Sequence, residues 1–324
     1  MKAWVKPLVI AALAILPLSC GAGDSASAGG SEDGARRIAV IPKGMTHEFW
    51  KTVQAGAESA GAELGVEVVW DGPGKESDRA EQIKIVEKSI PRVDAIAIAP
   101  LDAEALAKPL REAHGAGKPV LIFDSGLRGW EDYVSFVATD NFAAGEMAAD
   151  ELARLIGGKG KVLVLRYAVG HESTTNREDG FLKKIADYPD IEVVASDQYG
   201  GEGKQACQET AERLMVRYSD VDGCFAPCEP VTIGLMKAIG GVGKSGEIRL
   251  VGFDSSEELK DGLGAGTIDA LMLQDPYRMG ELAVQRMVDH LDGRPVDKRI
   301  DTGCVVATKD NMADAAVDRL LYGG

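Results

Sequence analysis

The sequence predicts an α/β protein built as two parallel-sheet domains. Strand-like and helix-like segments alternate from Arg37 to Phe123 and again from Lys161 to Cys304, and repeated βα units at this spacing build parallel sheets. The strands are dense in Val, Ile, Leu and Ala, as expected where helices cover both faces of a sheet. Between the two series stands Val134-Ser135-Phe136-Val137-Ala138-Thr139-Asp140-Asn141. It reads as a short buried strand followed by good N-cap residues, and it marks where the chain leaves the first domain for the second.

The chain has 324 residues, 45% hydrophobic and 27% charged, enough for one large or two ordinary cores. Its 36 Lys and Arg against 51 Asp and Glu give a net charge of −15. Loss of residues 1–19 would remove Lys2 and Lys6 and make it more negative still. Such a charge repels phosphate backbones and anionic lipid surfaces, so neither is an expected partner of the folded surface.

In chain order, Lys2 and Lys6 form a basic start, and Leu8 to Leu18 is an apolar run too short to span a bilayer comfortably. The run ends in Leu16-Pro17-Leu18-Ser19-Cys20. This resembles a bacterial lipoprotein signal, in which a small residue precedes a cysteine that is lipidated and becomes the new N-terminus. Pro17 stands where that signal usually has an aliphatic residue. Residues 1–19 are therefore expected to be a signal peptide, Cys20 the lipidated residue, and the small, polar residues 20–35 a flexible tether.

Arg37 to Ile41 is a buried-type strand. Thr46 is expected to cap the next helix, whose apolar positions Trp50, Val53, Ala57, Ala60 and Leu64 recur at helical spacing. Strand Val66 to Trp70, helix Glu76 to Ser89, strand Asp94 to Ala99, helix Ala103 to His114 and strand Pro119 to Phe123 complete the first series. In the second, helices are expected over Phe142 to Ile156, Thr174 to Ala186, Glu202 to Tyr218, Val231 to Ile239 and Pro276 to Leu291. Strands are expected over Lys161 to Leu165, Ile191 to Ser196, Val221 to Ala226, Glu247 to Phe253, Asp269 to Leu273 and Arg299 to Val306.

From about Arg36 to Asn311 the chain resembles the periplasmic sugar-binding proteins of the ribose-binding type, which serve ABC importers. The resemblance lies in Phe49-Trp50 after the first strand, Pro119-Val120-Leu121-Ile122-Phe123-Asp124 and Ala138-Thr139-Asp140-Asn141. It continues in Arg177-Glu178-Asp179-Gly180-Phe181, Val251-Gly252-Phe253-Asp254 and Gln274-Asp275-Pro276-Tyr277. It implies the type I periplasmic-binding fold: two doubly wound domains joined by a three-crossing hinge, with the sugar closed between them. The crossings would fall near Thr139, Gln274 and Thr302. Residues 36–139 with 275–302 would make the first domain, and 140–274 with 303–313 the second.

The chemistry points the same way. In open parallel α/β sheets ligands sit beyond the carboxyl ends of the strands, where His47, Phe49, Trp50, Asp124, Asp254 and Gln274 fall. A sugar needs carboxylates, amides and guanidinium groups for its hydroxyls and aromatic faces for its C–H faces. By resemblance, Phe49 and Trp50 would stack on the ring, while Asp124, Arg177, Asp254 and Gln274 would bond the hydroxyls. His47 and Cys228 each stand where the ribose binder has an asparagine. Glu229 beside Cys228, and Lys43 at the end of strand one, are further candidates. Asp254 is expected to serve the ligand without a part in folding.

Two other signals carry no chemistry. Ala238-Ile239-Gly240-Gly241-Val242-Gly243-Lys244-Ser245 loosely matches a phosphate-binding loop but follows a helix and precedes a strand, the reverse of what that loop needs. His47, His114, His171 and His290 are scattered without metal-ligand spacing, so neither metal nor other cofactor is expected. Of the cysteines after Cys20, Cys207 and Cys228 could lie at the same end of the second domain and pair, while free buried thiols are the plain alternative for Cys207, Cys224, Cys228 and Cys304.

The expected function is an extracytoplasmic lipoprotein, monomeric and held to the membrane only by its lipid. It would capture a monosaccharide or related polar ligand and deliver it to ABC permease subunits on the periplasmic side. A sensor presenting its ligand to a chemoreceptor or histidine kinase is the alternative. A repressor of the lactose-repressor type would carry a helix-turn-helix where this chain has an export signal. An enzyme using Asp124 and Asp254 as paired acids is the rival of a different class, and a hinge cleft accounts for both residues without catalysis.

Overall fold

The computed structural model describes residues 1–4 and 34–321. The apolar run, Cys20 and most of the tether lie outside the described residues. The chain divides into a short unit, Met1–Gly34, and a second unit, Ala35–Gly324, to which everything below refers.

Two six-stranded sheets organise this unit. The first holds β1 (Arg37–Ile41), β2 (Glu67–Trp70), β3 (Ala95–Ile98), β4 (Val120–Phe123), β5 (Phe136–Ala138) and β11 (Arg299–Asp301). Their order is β11-β5-β4-β3-β1-β2, all parallel. The second holds β6 (Gly160–Arg166), β7 (Ile191–Tyr199), β8 (Gly223–Phe225), β9 (Arg249–Phe253), β10 (Ala270–Leu273) and β12 (Val305–Thr308). Their order is β12-β10-β9-β8-β6-β7, with only β12 antiparallel to its neighbour. The chain passes from the first sheet to the second after β5, returns after β10, and crosses again between β11 and β12.

Alternation along each strand feeds two faces. Ile38 and Val40 pack under α1 (Glu48–Leu64) and α9 (Pro276–Leu291), beside Trp50, Val53 and Met287. Their neighbours Ala39 and Ile41 pack under α2 (Arg79–Ser89) and α3 (Ala107–Gly115), beside Ile85, Val86 and Leu110. In the second sheet Val251 and Phe253 face α4 (Asn141–Leu155) and α5 (Glu172–Ile185). Leu250 instead faces the side covered by α6 (Lys204–Arg217), α7 (Glu229–Gly241), α8 (Glu257–Ala265) and α10 (Ala315–Leu321). Burying each such side chain contributes about 1.5–3 kcal/mol.

Both lobes bring helices into backbone contact. A Cβ on Gly56 of α1 would lie 2.0 Å from the Tyr277 carbonyl, and one on Gly280 of α9 would lie 1.9 Å from that of Val53. In the second lobe a Cβ on Gly145 of α4 would lie 2.1 Å from the Arg177 carbonyl, and one on Gly180 of α5 would lie 2.1 Å from that of Phe142. Only glycine permits these approaches.

Several local expectations need correction. The N-cap of α1 is His47, not Thr46, and its side chain makes no capping bond. Leu64 is exposed at the end of that helix. The second helix begins at Arg79, capped by Asp78 accepting the Glu81 N–H at 2.9 Å, which leaves Glu76 on the preceding loop. The last strand is two, β11 and β12, in different sheets, because the chain turns at Gly303 with φ 82°. Helices α8 and α10 had no counterpart in the sequence reading. The glycine-rich segment runs from the end of α7 into the turn before β9.

Candidate ligand-binding site

The carboxyl ends of both sheets face one another across a shared cavity. Lys43, His47, Phe49, Trp50 and Asp124 line it from the first lobe. Arg177, Cys228, Glu229, Asp254 and Gln274 line it from the second. All ten candidates named from sequence thus line one cavity. Glu76, Tyr167, His171, Ser173, Thr174 and Pro230 complete it and were not named. Tyr167 lies just beyond the end of β6, so the strand-end rule that found Asp124 could have found it.

Asp124 follows β4 with φ 60°, and Asp254 follows β9 with φ 73°. Among the described residues they are the only non-glycine residues in the left-handed region, a conformation that costs about 1–2 kcal/mol. Strain of this kind gathers at sites where geometry serves a ligand. Lys43 Nζ lies 2.7 Å from Asp124 Oδ2, both side chains 5% exposed, and donates to Ser173 Oγ of the facing lobe at 3.0 Å. The buried cation is thereby paired and hydrogen-bonded, as burial of charge requires.

Glu76 joins the lobes. Its Oε1 accepts the Trp50 indole N–H at 2.7 Å and its Oε2 accepts the Tyr167 hydroxyl at 3.1 Å. His47 Nδ1 lies 3.6 Å from Oε1. Burial alone would raise this carboxyl, but His47, His171, Lys43 and the Trp50 bond outweigh it and hold it below the ordinary value. The Tyr167 hydroxyl is pushed up by burial and by Glu76 beside it, so it stays a donor. Trp50 is 3% exposed with its N–H committed to Glu76, and the Phe49 ring packs edge-on against it at 4.8 Å.

On the second lobe Arg177 is fixed from three sides. Its Nε donates to Asn141 Oδ1 at 2.7 Å, its Nη1 donates to the Pro227 carbonyl at 2.9 Å, and its guanidinium lies 4.4 Å from the Phe253 ring centre. Asp254 Oδ2 accepts the backbone N–H of Glu229, and its Oδ1 accepts Gln274 Nε2. Asp254 therefore holds the N-terminus of α7 and has a structural part, contrary to the expectation that it serves a ligand alone. The Glu229 carboxylate pairs with Lys204 at 2.8 Å through Oε1. Its Oε2 and Gln274 Oε1 are buried without a hydrogen-bond partner among the described residues. Buried acceptors are rarely left so, and both belong to the cavity wall.

The two lobes touch around the cavity. Gly126 N–H donates to Glu172 Oε2 at 2.8 Å, Ser173 N–H to Ser125 Oγ at 3.1 Å, and Arg79 Nη2 to the Val169 carbonyl at 2.9 Å. Among the described residues no group of three His, Cys, Asp or Glu side chains is placed to hold a metal ion. Cys207, Cys224, Cys228 and Cys304 carry free thiols, and burial pushes those of Cys207, Cys224 and Cys304 up to about 12.

A model of the periplasmic binding protein domain matches residues 38–295. The chain belongs to the periplasmic binding protein family. Among the relatives of this family member, the xylitol-binding protein of Mycolicibacterium smegmatis is 27% identical over 306 residues, 94% of this chain and 84% of that one. The ribose import binding protein of Bacillus subtilis is 28% identical over 267 residues, 82% of this chain and 85% of that one. The crystal structure of an ABC transporter solute binding protein from Agrobacterium vitis with bound D-fucose superposes with a TM-score of 0.84 at 35% identity. It covers 88% of this chain and 100% of its own. Type I architecture, with two lobes about a shared cleft, is common to this periplasmic binding protein and its neighbours.

Proposed function

We propose that this protein captures one sugar or sugar alcohol in the interlobe cavity and delivers it to an ABC importer, without turning it over. The observation that carries this reading is the wall itself. Carboxylates, an amide and a guanidinium are held rigid by protein hydrogen bonds, and the buried acceptors Glu229 Oε2 and Gln274 Oε1 still need donors. Hydroxyls supply donors and acceptors from one atom, which matches such a wall. Lys43, His47, Asp124, Arg177, Cys228, Glu229, Asp254 and Gln274 would meet the hydroxyls, and Phe49 with Trp50 the C–H faces. Four carboxylates, Glu76, Asp124, Glu229 and Asp254, stand against three cations, Lys43, Arg177 and the Glu229 partner Lys204. That balance disfavours anionic ligands. The names of the relatives, which bind xylitol and ribose, and of the neighbour holding D-fucose support the same class.

In this reading residues 36–139 with 275–302 and residues 140–274 with 303–313 are two bodies that close on the ligand. The protein works as a monomer, lipid-anchored through Cys20 on the periplasmic side. A thermal-shift screen against xylitol, D-ribose, D-allose, D-arabinose, D-fucose and D-tagatose tests it, since a ligand of the folded state raises apparent stability by mass action. At least one neutral compound should raise the melting temperature by several degrees and D-galacturonate should not. A response confined to anionic compounds, or release of a chemically altered sugar, would refute it.

A further inference from the structure

The cavity shares three of its wall residues, His47, Glu76 and Tyr167, with a second, solvent-facing chamber. Between these shared residues runs the hydrogen bond from Tyr167 Oη to Glu76 Oε2, at 3.1 Å, which joins opposite lobes. We propose that the Glu76–Tyr167 pair is a size gate, sealing the cavity around a single sugar ring and excluding any ligand with a further substituent on that side. The inference rests on the reading of the cavity as a sugar site.

Three features make this pair a wall rather than a flexible rim. Both Glu76 oxygens are engaged, the other by the buried Trp50 indole, so the carboxylate has a fixed plane. Tyr167 is 2% exposed, and its ring packs against His171 with ring centres 5.0 Å apart, which supports it from one side. The bond forms only when the lobes are together, so a substituent lodged in it would hold them apart and forfeit the other contacts across the cleft.

The chamber beyond is polar, lined by Lys75, Ser77, Glu202, Lys204 and Gln205. Lys204 reaches back to Glu229 of the cavity wall at 2.8 Å. Joined to the cavity, it would accept a second hydroxylated group. The gate therefore sets ligand length, whereas the carboxylates and Arg177 set hydroxyl recognition.

The test uses the mature protein and the sugar that stabilises it most in the thermal-shift screen, together with that sugar's mono-O-(2-hydroxyethyl) ethers, one for each hydroxyl. Calorimetry should show every ether bound at least tenfold more weakly than the parent by the wild type. In Tyr167→Ala, checked for fold by circular dichroism, one ether should regain at least tenfold relative to the parent sugar. Glu76→Ala should favour the same ether and serves as the second variant, since Glu76 lies on a loop. The gate is overturned if the wild type binds every ether within threefold of the parent, or if no ether gains in either folded variant. A wild type that binds no sugar in the screen would instead remove the sugar-binding reading itself.

Discussion

Asp124 and Asp254 occupy the same place in two sheets. Each follows the third strand from one edge, each is preceded by Phe and followed by Ser, and each has a left-handed backbone with φ 60° and 73°. Their partners differ. Asp124 pairs with Lys43, whereas Asp254 accepts from a helix N-terminus and an amide. One scaffold position is thus used twice, with opposite lobes supplying the two faces of a cleft.

For Asp254 the expected consequence is a double effect. Asp254→Ala removes the acceptor for Glu229 N–H and Gln274 Nε2 and places alanine at positive φ, so unfolding free energy should fall by about 2–4 kcal/mol. Urea denaturation measures this. A loss of sugar affinity with unchanged stability would show that α7 does not depend on the carboxylate.

Lys43 and Asp124 should be coupled. Removing one partner of a buried ion pair leaves an uncompensated charge, and Lys43→Met is expected to cost about 3–5 kcal/mol. Adding Asp124→Asn should restore a good part of that loss. Additive single effects in the double-mutant cycle would mean that the 2.7 Å contact carries no interaction energy.

Gly145→Ala should disturb the site from a distance. Its methyl would fall 2.1 Å from the Arg177 carbonyl, forcing α5 away from α4 and moving the guanidinium from Asn141 and Phe253. Overpacking of this kind costs about 1–3 kcal/mol, and sugar affinity should fall with it. A variant with wild-type melting temperature and affinity would contradict the packing described.

Behind the cavity wall, Glu178 accepts the Tyr167 N–H at 3.0 Å and pairs with Arg166 at 3.1 Å. Burial nevertheless raises its carboxyl from 4.5 to about 7. A carboxyl raised on folding contributes stability that is complete below about pH 4.5 and is lost as pH rises through about 7. Thermal melts between pH 4.5 and 8 should therefore show a decline, at most about 3 kcal/mol, that Glu178→Gln flattens. Identical pH slopes in the two proteins would remove Glu178 from this account.

The site was legible in the sequence where one physical rule governs it. Residues just past parallel strands face the ligand side, and this found Lys43, Asp124, Asp254 and Gln274. Glu76 was hidden because its helix was read as starting at that residue. Asp78 caps a helix that starts at Arg79, three positions later, and leaves Glu76 on the loop facing the cleft. The Glu76–Tyr167 bond spans 91 positions, and no local pattern encodes it. The split of the last strand was missed because Arg299 to Val306 has continuous strand character apart from Gly303. The crossing expected near Thr302 falls inside that run, and its halves pair with different sheets. Helix α8 had a local signal in Ser256, whose hydroxyl accepts from Leu259 N–H, but too short an apolar face to stand out.

The central claim is that a ligand is gripped by both lobes and closes them. Small-angle scattering with and without the sugar that stabilises the protein most tests this directly. The account predicts that the radius of gyration falls on saturation while the molecular mass stays that of a monomer. A scattering curve unchanged by saturating, calorimetrically verified sugar would contradict it.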